Sequence, residues 1–284
     1  MGTRVPTLHD LVEIESSSRL AMDGAALLMS LPATTRDDAG FPRATPIGFV
    51  VVRERVATIR YAHLPSFEHL ARQLSSNGEL GAGGVGATIT ILEMIIDHLA
   101  DVLERIGGDL DGMSRQIFTQ GLTNGKERRP RRANDALATM LRAVGGNGDL
   151  ASKVSESLLG LSRMVPFLAT KGQDLMTPDF KIRLDTVSQD AKSLHEFQEH
   201  LSNKTQFLLD TLLGLANIEQ NNVFRVLTVV SVVGIPPTFF ASMYGMNFKG
   251  MPEYDWPHGY AYGLTLIILS AVIPAAWFKV KGWW

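Results

Sequence analysis

Residues 226–248 read VLTVVSVVGIPPTFFASMYGMNF and residues 259–278 read GYAYGLTLIILSAVIPAAWF, and neither run contains a charged side chain. At about 1.5 Å per residue, each can cross a hydrocarbon core about 30 Å thick. A buried soluble helix rarely stays uncharged on every face over such a length. The pair therefore predicts a hairpin through a bilayer rather than a buried helical hairpin.

The flanks orient that hairpin. Arg225 precedes the first span, Lys279 and Lys281 follow the second, and the loop between carries Lys249 against Glu253 and Asp255. The positive-inside rule places both termini in the cytoplasm and the loop outside. Tyr254, Trp256, Tyr260 and Tyr262 cluster by the loop, with Trp277, Trp283 and Trp284 at the other end, as interfacial aromatic belts do.

Composition hides these features. The chain has 284 residues, 45% of them hydrophobic, and a net charge of −2. That balance gives no reason to expect nucleic acid as a partner. With no cysteines, disulfides, thiolate metal sites and thiol catalysis are excluded. The amino terminus has no apolar core of the kind a secretory signal needs. Nothing reads as a nucleophile–base arrangement or cofactor fingerprint, so no enzyme and no resident cofactor are expected.

Residues 1–75 read as a partial α/β cytosolic domain. Ala25–Leu31 and Ile47–Val52 are apolar runs, Arg55–Tyr61 alternates in places, and residues 52–55 form a hairpin turn between the last two. Ser66–Leu74 looks helical. The glycine-rich residues 76–87 read as a linker, since no Gly-Lys-Ser/Thr follows to make a phosphate loop.

Residues 88–176 predict a cytosolic helical hairpin. Its first helix runs to about Thr119 on the stripe Ile91, Leu92, Ile95, Ile96, Leu99, Leu103 and Ile106. Its second runs from about Ala133 to Lys171, with an interruption near residues 145–148. Arg128, Arg129, Arg131 and Arg132 between the helices read as a solvated tip, with anionic lipid or an acidic neighbour as the alternative.

Thr177-Pro178-Asp179 is a helix start: an N-cap hydroxyl, proline at the first helical position and an acid in the first turn. From Phe180 through Leu184, Val187, Ala191, Leu194, Leu201, Leu208, Leu212 and Leu215 an apolar seam recurs at three–four spacing, with Gln198 and Thr205 at two seam positions. No proline or paired glycine separates this stalk helix (177–222) from the first span (223–244). One helix is therefore expected from Pro178 to about Tyr244, loosened at Pro236-Pro237. Such a helix cannot bury its stripe alone; it needs the two preceding helices, equivalent helices in other subunits, or both, and this predicts a homo-oligomer.

At the outer end of the first span stands Tyr244-Gly245-Met246-Asn247, followed by Met251-Pro252-Glu253. Together with two C-terminal spans and a long preceding helix, this closely resembles the CorA family of magnesium channels, most specifically over residues 221–284. The resemblance implies an α-helical membrane protein with a small α/β cytosolic portion. Its long stalk helix would be continuous with the first of two transmembrane helices, assembled as a funnel-shaped homopentamer in the inner membrane. It implies an external loop (245–258), a second span (259–278) and a cytosolic tail (279–284). By position, Asn247 forms the selectivity ring, with Gly245 and Met246 shaping the turn. Asn221 faces the inner mouth, Phe224, Leu227 and Ile235 line a narrow hydrophobic segment, and Thr238 and Ser242 are pore-facing above it. Familiar members carry Met where Phe224 stands and Gly where Ser242 stands. They also have more residues ahead of the first span, so strands at 25–61 are expected to have edges that need cover.

The chemistry suits the resemblance. Mg2+ holds its waters tightly, and asparagine carbonyls can accept hydrogen bonds from the hydrated ion. Glu253 and Asp255 can gather cations before entry. The cargo implied is Mg2+, with Co2+ and Ni2+ as further candidates. Family members gate through divalent ions held by interfacial acids, for which Asp179, Asp185 and Asp190 are candidates beside the reading of a solvated helix surface. His195 with Glu199, and Glu196 with His200, stand one turn apart and can offer ligands to zinc. This keeps open a zinc-transporting ZntB-like protein of the same fold. An alternative of another class is a non-conducting membrane scaffold or metal sensor. The polar strip Asn221–Thr228–Ser231–Thr238–Ser242 argues against that class, because an anchor needs no such strip.

Overall fold

The computed structural model describes residues 6–12, 19–37, 39–62, 64, 67, 83–123, 130–246 and 250–283. In chain order the elements are α1 (Leu8–Val12), β1 (Leu20–Asp23), β2 (Ala26–Arg36), β3 (Pro42–Val51), β4 (Val56–Arg60), α2 (Gly83–Thr123) and α3 (Pro130–Lys171). A 3-10 turn (Gln173–Leu175), α4 (Pro178–Tyr244), a second 3-10 turn (Pro252–Asp255) and α5 (Gly259–Val280) complete the chain. Two compact units are present, Met1–Leu212 and Leu213–Trp284.

In the first unit the four strands form an antiparallel meander, β1-β2-β3-β4. The expected hairpin turn closes β3 to β4, with Val52 N–H donating to the Arg55 carbonyl at 2.9 Å. Strand β1 was not legible, and β2 runs past Leu31 through a proline. Pro32 stands opposite Pro46 in the β2–β3 register. Two prolines cannot exchange N–H bonds, so each sits where an N–H would point to the outer neighbour. β1 pairs only as far as Met29 and β4 only as far as Ile47, so neither proline removes a bond from a flanking strand.

Helix α3 covers β2, where Thr34 Oγ1 and Ser157 Oγ share a buried hydrogen bond of 3.0 Å. Leu11 of α1 packs over Gly48 of β3. All seven residues of the stripe expected on α2 are buried. The expected N-cap of α4 is also formed: Phe180 N–H donates to Thr177 Oγ1 at 3.2 Å. Along the seam Phe180, Leu184, Val187, Ala191, Gln198, Leu201, Thr205, Leu208 and Leu212 are buried, while the expected members Leu194 and Leu215 are only half-buried. The two polar members are satisfied, Gln198 Nε2 donating to Ser202 Oγ at 2.9 Å and Thr205 Oγ1 to the Leu201 carbonyl at 2.8 Å.

Two expectations are corrected. Part of the supposed linker is helical, because α2 begins at Gly83 rather than Thr88. A Cβ at Gly84 would lie 2.0 Å from the Val52 carbonyl oxygen and 2.4 Å from that of Arg55. The glycine thus lets the helix start dock on the β3–β4 turn, with Gly84 N–H donating to the Arg53 carbonyl at 3.0 Å. Second, α3 is unbroken through residues 145–148. Burial of Val144, Leu150, Ala151 and Val154 on either side offsets the weak helix propensity of the glycines. A Cβ at Gly148 would meet Thr205 Cγ2 at 3.0 Å, so that glycine also permits close packing. The exposure of both apolar stretches agrees with the expected bilayer hairpin rather than a buried soluble one. None of the most apolar stretch of α4 is buried by the rest of the chain, and only 11% of that of α5 is. Of the helix expected at Ser66–Leu74 only Phe67 is described, and it is buried; the Arg128–Arg132 side chains lie outside what is described.

Candidate permeation segment

In the second unit, the later part of α4 and the whole of α5 are both long and apolar enough to cross a membrane. The residues singled out on α4 share a side. At about 100° per residue, Asn221, Phe224, Leu227, Thr228, Ser231, Ile235, Thr238 and Ser242 fall within an arc of about 120°. Asn221, Phe224, Leu227, Thr228, Ile235, Thr238 and Ser242 are all exposed within the single chain. Helix α4 passes through Pro236 and Pro237 without interruption. Those prolines lack N–H groups, so the carbonyls of Val232 and Val233 lose their helical donors.

The hydroxyls on this face are oriented by the backbone. Thr228 Oγ1 donates to the Phe224 carbonyl and Thr238 Oγ1 to the Gly234 carbonyl, both at 2.8 Å. With their protons directed into the helix, the oxygens present lone pairs outward. A hydrated cation can be met by such acceptors through its own waters. The face carries no formal charge.

At its far end α4 tightens: Gly245 N–H donates to the carbonyls of Ala241 at 3.0 Å and Ser242 at 3.2 Å, and Met246 N–H to Met243 at 3.3 Å. Tyr244 packs its ring against Gly263 of α5. Trp256 and Tyr262 meet edge-on with ring centroids 5.6 Å apart. Asn247 lies outside the described residues, as does the side chain of Glu253, while Asp255 closes the exposed 3-10 turn.

Comparison with known proteins decides the family. The model of the CorA-like Mg2+ transporter proteins matches residues 3–280. The chain belongs to the CorA family. It is 31% identical over 283 residues to the magnesium transport protein CorA of Haemophilus influenzae, covering 100% of this chain and 86% of that protein. It is 32% identical to the Pectobacterium atrosepticum protein of the same name, covering 85% of it. Among solved structures, the complete CorA magnesium transporter of Methanocaldococcus jannaschii superposes with a TM-score of 0.72 at 18% identity, covering 94% of this chain and 80% of that one. Full-length CmaX gives 0.64 at 16% identity, covering 95% and 78%. Both share the fold: mostly helical, a small sheet, one long helix and two apolar C-terminal helices.

The residues suggested as CorA gating or zinc ligands are not assembled within one chain. Among the described residues no group of three or more His, Asp or Glu side chains is placed to hold a metal ion. His195 Nε2 stands 3.8 Å from Glu199 Oε1, while His200 is exposed. Asp179 is exposed, and it adds only after Glu93 to the attraction that raises the pKa of the Arg183 guanidinium. Asp185 is exposed. Asp190 lies close enough to α2 to help, after burial and the charges of Asp101 and Glu93, to push the Asp97 carboxyl above its ordinary value.

One contact had no counterpart in the sequence reading. The Arg225 guanidinium lies over the Trp283 ring at 5.7 Å from its centroid. Its signal is Gly282, a glycine just past the last helical turn and followed by an aromatic residue.

Proposed function

We propose that the chain carries Mg2+ across the inner membrane as a hydrated ion, driven by the membrane potential, as one subunit of a homopentamer with both termini in the cytoplasm. The observation that carries the reading is the exposed, uncharged, hydroxyl-bearing face of α4, in a chain whose relatives are magnesium transport proteins. Facing copies of that arc would enclose a path. Asn221 would stand at the inner mouth and Phe224, Leu227 and Ile235 in a hydrophobic constriction, with Thr238 and Ser242 above. Asn247 would form the outer ring, on a turn shaped by Gly245 and Met246. The carboxyl end of each α4 adds partial negative charge at that mouth, and Glu253 and Asp255 add to it. A divalent ion moving inward across 100 mV releases about 4.6 kcal/mol, so no other energy source is needed. Co2+ and Ni2+, hydrated similarly, are further cargo on this reading. Asp179, Asp185 and Asp190 would act in gating only where subunits meet.

The approach of His195 to Glu199 favours a second reading, Zn2+ as a cargo or regulator. Purified protein in liposomes with a negative-inside diffusion potential tests both. Flux of Mg2+, Zn2+, Co2+ and Ni2+ is followed together with the subunit count of the particle. Mg2+ entry through a five-subunit particle is expected. An intact particle that passes no divalent cation overturns the proposal, and entry of Zn2+ without Mg2+ selects the second reading.

A further inference from the structure

The end of the membrane unit that carries Arg225 is built around a cap. Helix α5 closes with Gly282 at φ +69°. Gly282 N–H donates to the Lys279 carbonyl at 3.2 Å and Trp283 N–H to the Phe278 carbonyl at 3.0 Å. This paired pattern turns the chain back and seats the following side chain on the helix it has just left. Trp283 accordingly packs on Phe278, with ring centroids 5.5 Å apart, and Phe278 is only 3% exposed. The other side of the Trp283 indole supports the Arg225 guanidinium.

Beside this platform is an apolar cavity of about 360 Å³ lined by Val226, Val229, Val230, Val233, Gly234 and Trp283. Its centre on α4 lies about 150° around the helix from the middle of the arc that includes Thr238 and Ser242, so it is not part of the proposed conduction path. Arg225, Lys279 and Lys281 are all exposed at the same end. Between Glu219 and Glu253, and after Asp255, the sequence has no acidic side chain. Apolar lining beside exposed cations, at the depth where a span meets headgroups, has the chemistry of a phospholipid turned inside out.

We propose that this cavity holds an acyl chain of an anionic phospholipid whose phosphate is bound by Arg225, with Lys279 and Lys281 adding attraction. The indole fixes the guanidinium so that its fork can meet phosphate oxygens in two places. A neighbouring copy fits the cavity less well. In an assembly arranged around an axis along the membrane normal, it brings the same three cations to the same depth and no acid to meet them. The proposal rests on the membrane reading above and on the depth it gives Arg225, but not on which ion is carried.

The test is native mass spectrometry of the full-length protein released from bilayers of phosphatidylglycerol and phosphatidylcholine, with Mg2+ flux measured on the same preparations. Wild type should retain phosphatidylglycerol in preference to phosphatidylcholine, and Arg225→Gln should weaken that preference about fivefold. Val230→Trp, which fills the cavity and leaves the cations, should lower retention of both lipids. A photo-crosslinker at Val230 should label lipid. Equal retention of the two lipids by wild type, or an unchanged preference in Arg225→Gln, overturns the proposal. Crosslinking at Val230 to a second copy also overturns it, in favour of a subunit contact. Lipid preference absent while Mg2+ flux persists sinks this inference alone. Protein that fails to fractionate with membranes sinks the membrane reading as well.

Discussion

Arg183 of α4 grips Glu93 of α2 with both arms of its guanidinium. Nε donates to Oε1 at 2.8 Å and Nη2 to Oε2 at 2.5 Å, while Nη2 also donates to Thr90 Oγ1 at 2.8 Å. The side chains are 28% and 37% exposed, so solvent weakens the charge attraction but leaves the planar fit. The pair pins α4, near its first turns, to the helix that docks on the sheet. Its strength lies in geometry that a lysine cannot reproduce.

Arg183→Lys keeps the charge and loses the fork. It should destabilise the first unit by about 1 kcal/mol, the scale of a half-exposed bidentate pair. The unfolding midpoint of the purified protein reads the effect, and a cycle with Glu93→Gln isolates the pair. Additive single effects would show that no coupling exists.

Asp97 has the opposite electrostatics. Its side chain is exposed, and partial desolvation first, then the like charges of Asp101, Glu93 and Asp190, raise its carboxyl pKa. The folded state therefore disfavours the ionised form. That cost is complete above the raised pKa and disappears once pH falls below the unfolded value of about 3.9. Asp97→Asn should raise the unfolding midpoint at neutral pH, and its advantage over wild type should shrink as the medium is acidified. An advantage that does not change with pH would refute the electrostatic cause.

Gly84 leaves no room for a side chain. Because a Cβ there would meet two carbonyl oxygens, 2.0 and 2.4 Å away, Gly84→Ala must move either the start of α2 or the β3–β4 turn. A loss of about 2 kcal/mol or more is expected. Gly145→Ala meets nothing within 4 Å and should be neutral or stabilising through better helix propensity. Equal effects of the two substitutions in thermal unfolding would contradict the docking seen at residue 84.

Periodicity made the helical part of the fold legible. The α2 stripe, the α4 seam from Phe180 to Leu212 and the cap at Thr177 are local patterns, and each appears where its spacing predicts. Position Gly84 was misread because its constraint comes from a turn about thirty residues away, and composition cannot distinguish a glycine that needs freedom from one that needs space. The helix through residues 145–148 was misread for a related reason: tertiary burial overrode weak propensity. On the candidate site, the shared face of Asn221, Leu227, Thr238 and Ser242 follows from helical spacing alone. The seating of Arg225 on Trp283 does not, since it depends on a chain reversal after α5.

Asn247 carries the sharpest functional prediction. A ring of side-chain amides can accept hydrogen bonds from the waters of hydrated Mg2+ without stripping them, which the ion would resist. Alanine offers no acceptor, while the turn chemistry of Gly245 is untouched. Each such bond to a charged, hydrated species contributes about 1.5–3 kcal/mol, so losing it from every subunit should reduce Mg2+ entry by more than about tenfold. Asn247→Ala should do this with the subunit count unchanged, because the residue follows the end of α4 and lies outside its buried seam. Asn247→Asp, which keeps an acceptor and adds charge, should preserve entry but hold the ion longer, appearing as a lower half-saturating concentration with slower maximal flux. Wild-type Mg2+ entry in a fully assembled Asn247→Ala particle would remove this residue from the conduction mechanism and leave the Thr238 and Ser242 face to account for selectivity.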